Sequence, residues 1–301
     1  MDTIFSIDNI TTLHEISGYE KPTHPLVTVM DVSKIKPQRE VKDARVRLGF
    51  YSISMKSNVE SGMKYGRQYY DFQEGSLIFM EPNQVATFDI AAPGEDAEGW
   101  ILCFHPEFIR GSGLAKKIDN FSFFSYSANE ALHLSDKEKN TLTNIVESIQ
   151  EEITQNIDPY TKKLILNSLE LILNYSDRYY GRQFLTRTSK NKDIITEFES
   201  LLKERVNSEH LADKGIPSVK ELAISLGYSP YYLSDLLKKE TGKGTQEYIQ
   251  EYLLSKAKDL LISTNKPVNQ IGYQLGFEYP AHFSKFFKNK TGMTPSKYRA
   301  G

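Results

Sequence analysis

The spacing of apolar residues changes about a third of the way along the chain. Between residues 20 and 105 they alternate. Val46, Leu48 and Phe50 take one face while Arg47 and Tyr51 take the other, the period of two that a strand requires. The pattern predicts strands at 25–30, 45–54, 65–72, 76–80, 85–90 and 100–105, with turns at Glu74-Gly75 and Pro82-Asn83. Short strands at this spacing without intervening helices imply an antiparallel sandwich or barrel.

After residue 106 the period becomes helical. Ser135 and Glu138 form a capping box that opens a helix to about Gln155, with Leu142, Ile145, Val146 and Ile149 on one stripe. Asp158-Pro159 restarts a helix whose apolar face is Leu164, Ile165, Leu169, Ile172 and Leu173. The two make an αα-hairpin, which either packs on its own domain or, given its length, forms the contact of a homodimer. Residues 181–192 are polar and basic with little periodicity and are read as a linker. The expected organisation is a strand-rich domain with a helical hairpin over 1–180 and an all-helical domain over 193–301, an α+β chain of two domains.

The tail repeats itself. Val219 to Tyr228 matches Val268 to Phe277 at an offset of 49, and Leu233 to Lys238 matches Phe283 to Lys288 at an offset of 50. Thr241-Gly242 pairs with Thr291-Gly292, and Tyr248 with Tyr298. In each copy Val219, Leu222, Ala223 and Leu226, or their counterparts, cover one face of a short helix, and Gly227 stops it. Ser229-Pro230 then starts a second helix with an inner stripe of Leu233, Leu236 and Leu237, which leaves Tyr231, Tyr232, Ser234, Asp235 and Lys238 outward. Ala223, and Gly272 in the second copy, let the paired helices approach closely. This is a helix-turn-helix layout, in which the second helix enters the DNA major groove. Between the copies, residues 245–263 read as one helix about 27 Å long. Successive groove entries on one face of B-DNA lie about 34 Å apart, so a rod of that length can place two recognition helices.

Charge supports an anionic partner for the tail alone. The chain of 301 residues carries a net −2, but residues 215–301 hold 12 Lys/Arg against 7 Asp/Glu while the remainder holds 25 against 32. A single cysteine, Cys103, excludes an internal disulfide framework and multi-cysteine metal sites. No apolar run approaches the ~18 residues of a membrane span. An acid near the start, Asp2 of Met1-Asp2-Thr3-Ile4, stands where a signal peptide would carry a basic region, which points to a cytoplasmic chain.

The tail resembles the AraC/XylS transcriptional regulators. The resemblance rests on Leu226-Gly227-Tyr228-Ser229-Pro230, Leu233-Ser234, Lys238 and Gly242, then on Ala257, Leu260-Leu261, Ile271 and Gly276-Phe277. It continues through Phe283-Ser284, Phe286-Phe287-Lys288, Gly292, Pro295 and Tyr298-Arg299. It covers about residues 193–300 and implies seven helices, binding to double-stranded promoter DNA and, most often, activation through RNA polymerase. An arginine common in that family's linker helix is Leu253 here. By family position the base-reading candidates are Tyr231, Ser234 and Asp235, then Ala281, Ser284 and Lys285, with His282 flanking. Lys238, Lys288 and Arg299 suit phosphates, since a lone cation positions without reading sequence. Asp235 either accepts from a cytosine amine or pairs with Lys238 or Lys239.

The front resembles, more weakly, the cupin-type sensor domain of many such regulators, through Gly75 to Val85. The six histidines contain no His-x-His pair, and Ala86 stands where a ligand histidine commonly follows the turn. The expectation is no metal, no cofactor and no enzymatic activity. Arg47, Tyr51, Tyr65, Arg67, Tyr69, Phe88 and Trp100 are candidates for lining a small-molecule effector pocket, although aromatic residues in a small barrel usually form its core. Cys103, between Leu102 and Phe104, reads as a buried hydrophobe rather than a redox sensor.

Overall fold

The computed structural model describes residues 4–57, 63–65, 68–69, 75–90, 92, 97–155, 158–186, 188–208 and 211–300. For 56–57, 63–65, 68–69, 88–89, 128 and 188–190 it describes the backbone only. The chain divides into two compact units, Met1–Leu185 and Thr186–Gly301.

In the first unit, β1 (Ile4–Ile7), β3 (Val41–Leu48), β8 (Val85–Ile90), β5 (Met63–Tyr65) and β6 (Gln68–Tyr69) form one five-stranded sheet in that order. The second sheet runs β10 (Leu132–His133), β7 (Ser76–Met80), β4 (Tyr51–Ser57), β9 (Glu98–Phe104), β2 (Val27–Asp31). A core lies between them. Ala44, Val46, Leu48 and Ala86 come from the first sheet, and Ile78, Met80 and Cys103 from the second. Burial of this apolar surface is the main force holding the two sheets together.

Two departures from the expected strands have local causes. The run 45–54 is not one strand. It breaks at Gly49-Phe50, and its halves, β3 and β4, belong to different sheets. At Gly49 an added Cβ would lie 2.9 Å from the Asp8 Cα, so the chain can turn there only without a side chain. β1 pairs with β3 in parallel rather than antiparallel fashion. The helix α1 (Ile10–Ile16) and β2 intervene, and that length permits the crossover a parallel pair needs.

Three candidate effector contacts lie elsewhere than expected. Tyr51 stacks on Phe104, its cross-strand partner, with ring centroids 5.0 Å apart, and meets Phe124 edge-on. The Trp100 indole N–H donates to Thr143 Oγ1 at 3.1 Å. Both sit on the side of the second sheet opposite Cys103 and Ser52, because neighbouring residues along a strand alternate faces. Arg47 is turned away from the core formed by Val46 and Leu48. It donates to Asp8 Oδ1 at 2.9 Å, Asn83 Oδ1 at 2.5 Å and Ser6 Oγ at 3.2 Å, tying β1 and the 82–83 turn to β3. Arg67 and the side chains of Tyr65, Tyr69 and Phe88 lie outside the described residues.

The helices α2 (Pro106–Ile109), α3 (Asp136–Thr154) and α4 (Thr161–Thr186) complete this unit. Glu138 accepts from the Ser135 backbone N–H at 2.9 Å and starts α3 as expected. Asp158 Oδ1 accepts from the N–H groups of Tyr160 and Thr161 and starts α4. Ile165, Leu169, Ile172 and Leu173 are buried, but Leu164 is exposed. Thr161, Ile165, Leu169 and Leu173 advance by four, and Leu164 stands one position ahead of that row. Residues 181–186, read as linker, continue α4. Tyr179, Tyr180, Gln183 and Phe184 are buried at helical spacing, so the stripe persists through polar sequence.

The second unit is helical: α5 (Thr188–Asn207), α6 (Leu211–Lys214), α7 (Val219–Ser225), α8 (Pro230–Thr241), α9 (Thr245–Ser263), α10 (Val268–Gln274), α11 (Pro280–Thr291) and α12 (Pro295–Arg299).

Candidate nucleic-acid interface

Each half of the repeat is built by the same local rules. Ser218 opens α7 through a capping box in which Glu221 Oε2 accepts from the Ser218 N–H at 2.8 Å. That bond and the Ser218 hydroxyl hold the Glu221 carboxyl below its usual range. Gly227 ends the first copy's leading helix at φ +78°, and Gly276 ends the second copy's at +80°. Gly242 and Gly292 close α8 and α11 in the same left-handed conformation. Ser229 caps α8 by accepting from the Tyr232 N–H at 3.2 Å, and Pro230 occupies the first turn. In the second copy Tyr279 replaces that serine, and α11 begins at Pro280 without a side-chain cap.

Packing fixes which faces remain open. Leu222, Ala223, Leu233, Leu236 and Leu237 are buried in the first copy. The second copy's core joins Ile271, Leu275, Phe283 and Phe287 to Ala257 and Leu261 of α9. A Cβ added to Gly272 would lie 3.1 Å from Phe283 Cβ, so the close approach expected of the helix pair is present. Ile249, Leu253, Ala257 and Leu261 give α9 an apolar stripe at i, i+4 spacing that serves both copies. Tyr248 anchors α5 to α9 by donating its hydroxyl to Glu199 Oε1. Burial first, and then that carboxylate, push its phenol up to about 12.

The outer face of α8 presents Tyr231, 56% exposed, with Lys238 and Lys239 exposed at the far end. Asp235 and Ser234 are half-buried, and a Cβ on Gly244 would come within 3.0 Å of Ser234 Oγ. On α11 the residues Ala281, His282, Lys285 and Lys288 are exposed and Ser284 is half-buried, with the His282 ring edge-on to Tyr279.

Two sequence-derived candidates are corrected. Tyr232 is not on the outer face. It is 5% exposed and stacked at 5.5 Å on Tyr228 of the preceding turn, because Tyr232 and Leu236 stand at i, i+4 on the inner side of α8. Arg299 does not project to solvent as a free phosphate ligand. Its Nε–H donates to the Leu261 carbonyl oxygen at 3.0 Å, satisfying one of the open carbonyls in the last turn of α9. Lys239 and Lys290, neither of them named as a DNA contact from the sequence, stand exposed in the last turns of α8 and α11, where a cation suits the helix C-terminus.

A helix-turn-helix domain family matches residues 222–301. The uncharacterized HTH-type transcriptional regulator YobQ of Bacillus subtilis (strain 168) is 38% identical over 82 residues, 27% of this chain and 34% of that protein. The arabinose operon regulatory protein of Escherichia coli (strain K12) is 35% identical over 94 residues, 31% of this chain and 32% of that one. The bifunctional transcriptional activator/DNA repair enzyme AdaA of Bacillus subtilis (strain 168) is 36% identical over 108 residues, 36% of this chain and 46% of that one. The chain thus spans between about a third and a half of the length of these relatives, and the C-terminal unit carries a helix-turn-helix domain of the AraC type.

Proposed function

We propose that the chain is a sequence-specific DNA-binding transcriptional regulator that sets α8 and α11 into successive major-groove segments of promoter DNA. The observation that carries this reading is the duplication: two helix, glycine turn, helix units of matching geometry joined by a single helix of 19 residues, about 28 Å long. Tyr231, Ser234 and Asp235 on α8 face base edges, as do Ala281, Ser284 and Lys285 on α11, with His282 beside them. Lys238 and Lys288 sit where phosphates pass. The net positive balance of residues 215–301 supports an anionic partner.

The rest of the reading concerns the first unit. A small-molecule effector acts there, and the chain works as a homodimer that activates transcription through RNA polymerase in the cytoplasm. Tyr160, Leu164 and Leu171, exposed apolar residues at helical spacing near the start and middle of α4, support the dimer contact on the 135–180 hairpin. No described helix is long and apolar enough to cross a membrane. The reading is non-enzymatic. Alkyl transfer needs a cysteine thiolate, and Cys103 is 1% exposed with its thiol pushed up to about 12 by burial.

Equilibrium binding of the full chain to its own promoter duplex and to random duplex at several salt concentrations tests the reading. Tighter binding to the promoter, and an affinity for both that falls steeply with salt, are expected. Equal, salt-independent binding to both would contradict it.

A further inference from the structure

The two helix-turn-helix units are tied together at a second place besides α9. The turn of the second unit, at Gly276, lies directly against the backbone that leads into the first. A Cβ on Gly276 would stand 3.0 Å from the Gly215 carbonyl carbon, 3.0 Å from Ile216 N and 3.1 Å from Leu211 O. Every one of these neighbours is main chain, so no flexible side chain could yield to an added methyl. Leu211 and Leu275, on either side of the contact, are both 3% exposed. Beside it the walls part into a cleft of about 410 Å³, with Val206, Ser208 and Ala212 on one side and Lys256, Gln274 and Leu275 on the other. The contact is therefore narrow, one backbone point bearing on another.

The sequence places this point where it matters. Gly215-Ile216 precedes Ser218, the cap of α7, by two residues, so α7 and its partner α8 follow any displacement of that segment. Gly276 ends α10 and precedes Pro280, the first residue of α11, by four. With α9 as one connection and the Gly276 contact as the other, the two units form a closed frame rather than two bodies on a single rod.

We infer that the segment from Leu211 to Ile216 is a strut that fixes the angle between α8 and α11, and so makes the chain selective for the spacing between its two DNA half-sites. The inference rests on the DNA-binding reading above. One inserted base pair rotates the second half-site by about 34–36° and shifts it by about 3.4 Å, since a turn holds 10–10.5 base pairs in about 34–36 Å. A frame braced at two points cannot follow that rotation without losing contacts on one unit. A frame braced only by α9 follows it more easily.

Glycines elsewhere in the same unit supply the control. Gly276 and Gly292 have nearly the same left-handed conformation, φ +80° and +78°, so alanine strains the backbone similarly at both. Only Gly276 has backbone in the way, for nothing lies within 4 Å of a Cβ on Gly292. The difference between Gly276→Ala and Gly292→Ala isolates the strut. Leu211→Ala loosens the same contact from the other side without a strained glycine.

The experiment uses the full chain and a duplex selected from a random-sequence pool, with each half-site also tested alone. Inserting one base pair between the half-sites should weaken the wild type by about tenfold, the cost of losing one good base contact. Gly276→Ala and Leu211→Ala should lose only about threefold or less on the same insertion, with single half-site affinity unchanged, and Gly292→Ala should behave as wild type. Spacing discrimination that survives in both strut variants overturns the inference, and so does equal loss of discrimination in Gly292→Ala. A folded strut variant bound equally weakly at every spacing and to each half-site alone points to a general structural defect and also overturns it. A pool from which the wild type selects no sequence contradicts the DNA-binding reading itself, and the inference falls with it.

Discussion

Arg299, the last residue of α12, donates its Nε–H to the carbonyl of Leu261 in the last turn of α9, 3.0 Å away and 38 residues earlier in the chain. Helix C-termini carry unpaired carbonyls and partial negative charge, so a guanidinium there binds both. The side chain that closes the second unit onto α9 is thus spent on the fold. Arg299→Ala should cost about 1.5–3 kcal/mol in denaturant unfolding, the range for a hydrogen bond from a charged group. It should leave the salt slope of DNA binding unchanged at temperatures where the variant is folded. A slope reduced by about one unit would return Arg299 to the phosphate contacts.

Neighbouring tyrosines on α8 should respond in opposite ways. Tyr232→Ala removes a buried ring from the core and should destabilise the second unit by about 3 kcal/mol. Tyr231→Ala, on the exposed face, should change stability by less than about 0.5 kcal/mol. It should weaken binding to the promoter by about 1–3 kcal/mol and to random duplex much less. Calorimetry and binding titrations on the two variants separate these effects, and equal loss on both duplexes for Tyr231→Ala would contradict base contact.

Thr245 begins α9 at the position where the second copy begins α12 with Pro295. Its side chain is buried, with no partner for its hydroxyl. The first helical position needs no N–H, and Gly244 before it is extended, at φ −73° and ψ 165°, as a residue preceding proline must be. Thr245→Pro should therefore stabilise the chain by about 1 kcal/mol, by removing an unpaired buried hydroxyl and restricting the unfolded state. A lowered melting temperature would contradict this.

The legible part of the structure was the local part. Capping at Ser135 and Ser229, the turn glycines, and the stripes of α7, α8, α10 and α11 follow from spacing within a dozen residues. Partners far apart in sequence gave no such signal. Nothing near Gly49 announces that β3 and β4 part into different sheets, since the neighbour that bars a side chain there is the Asp8 backbone, 41 residues earlier in the chain. Arg47 looked like a ligand fork because its chemistry suits one, yet Asp8 and Asn83 occupy it. Tyr232 could have been placed correctly, for Tyr232 and Leu236 share the inner row at i, i+4. Counting only leucines as core concealed it.

Cys103 should be inert in the folded chain. With its thiol raised from an ordinary value near 9 to about 12, almost none is thiolate at pH 8, and burial bars access. Folding stability linked to this group is complete below about pH 9 and falls as pH rises toward 12, because the unfolded thiol ionises first. A thiol reagent at pH 8 should label the protein only in denaturant. Rapid labelling of native protein would contradict the buried site.

Footprinting of the full chain on a selected duplex, read as protection of guanine N7 from methylation, tests the central claim most directly. N7 lies in the major groove, so protection reports helix entry there. Two protected major-groove segments on one face of the duplex, about 10 base pairs apart, are the expected result, with Lys288→Ala weakening both together through a lost phosphate contact. Protection of a single segment, or none while the chain remains bound, would contradict an account in which α8 and α11 both read DNA.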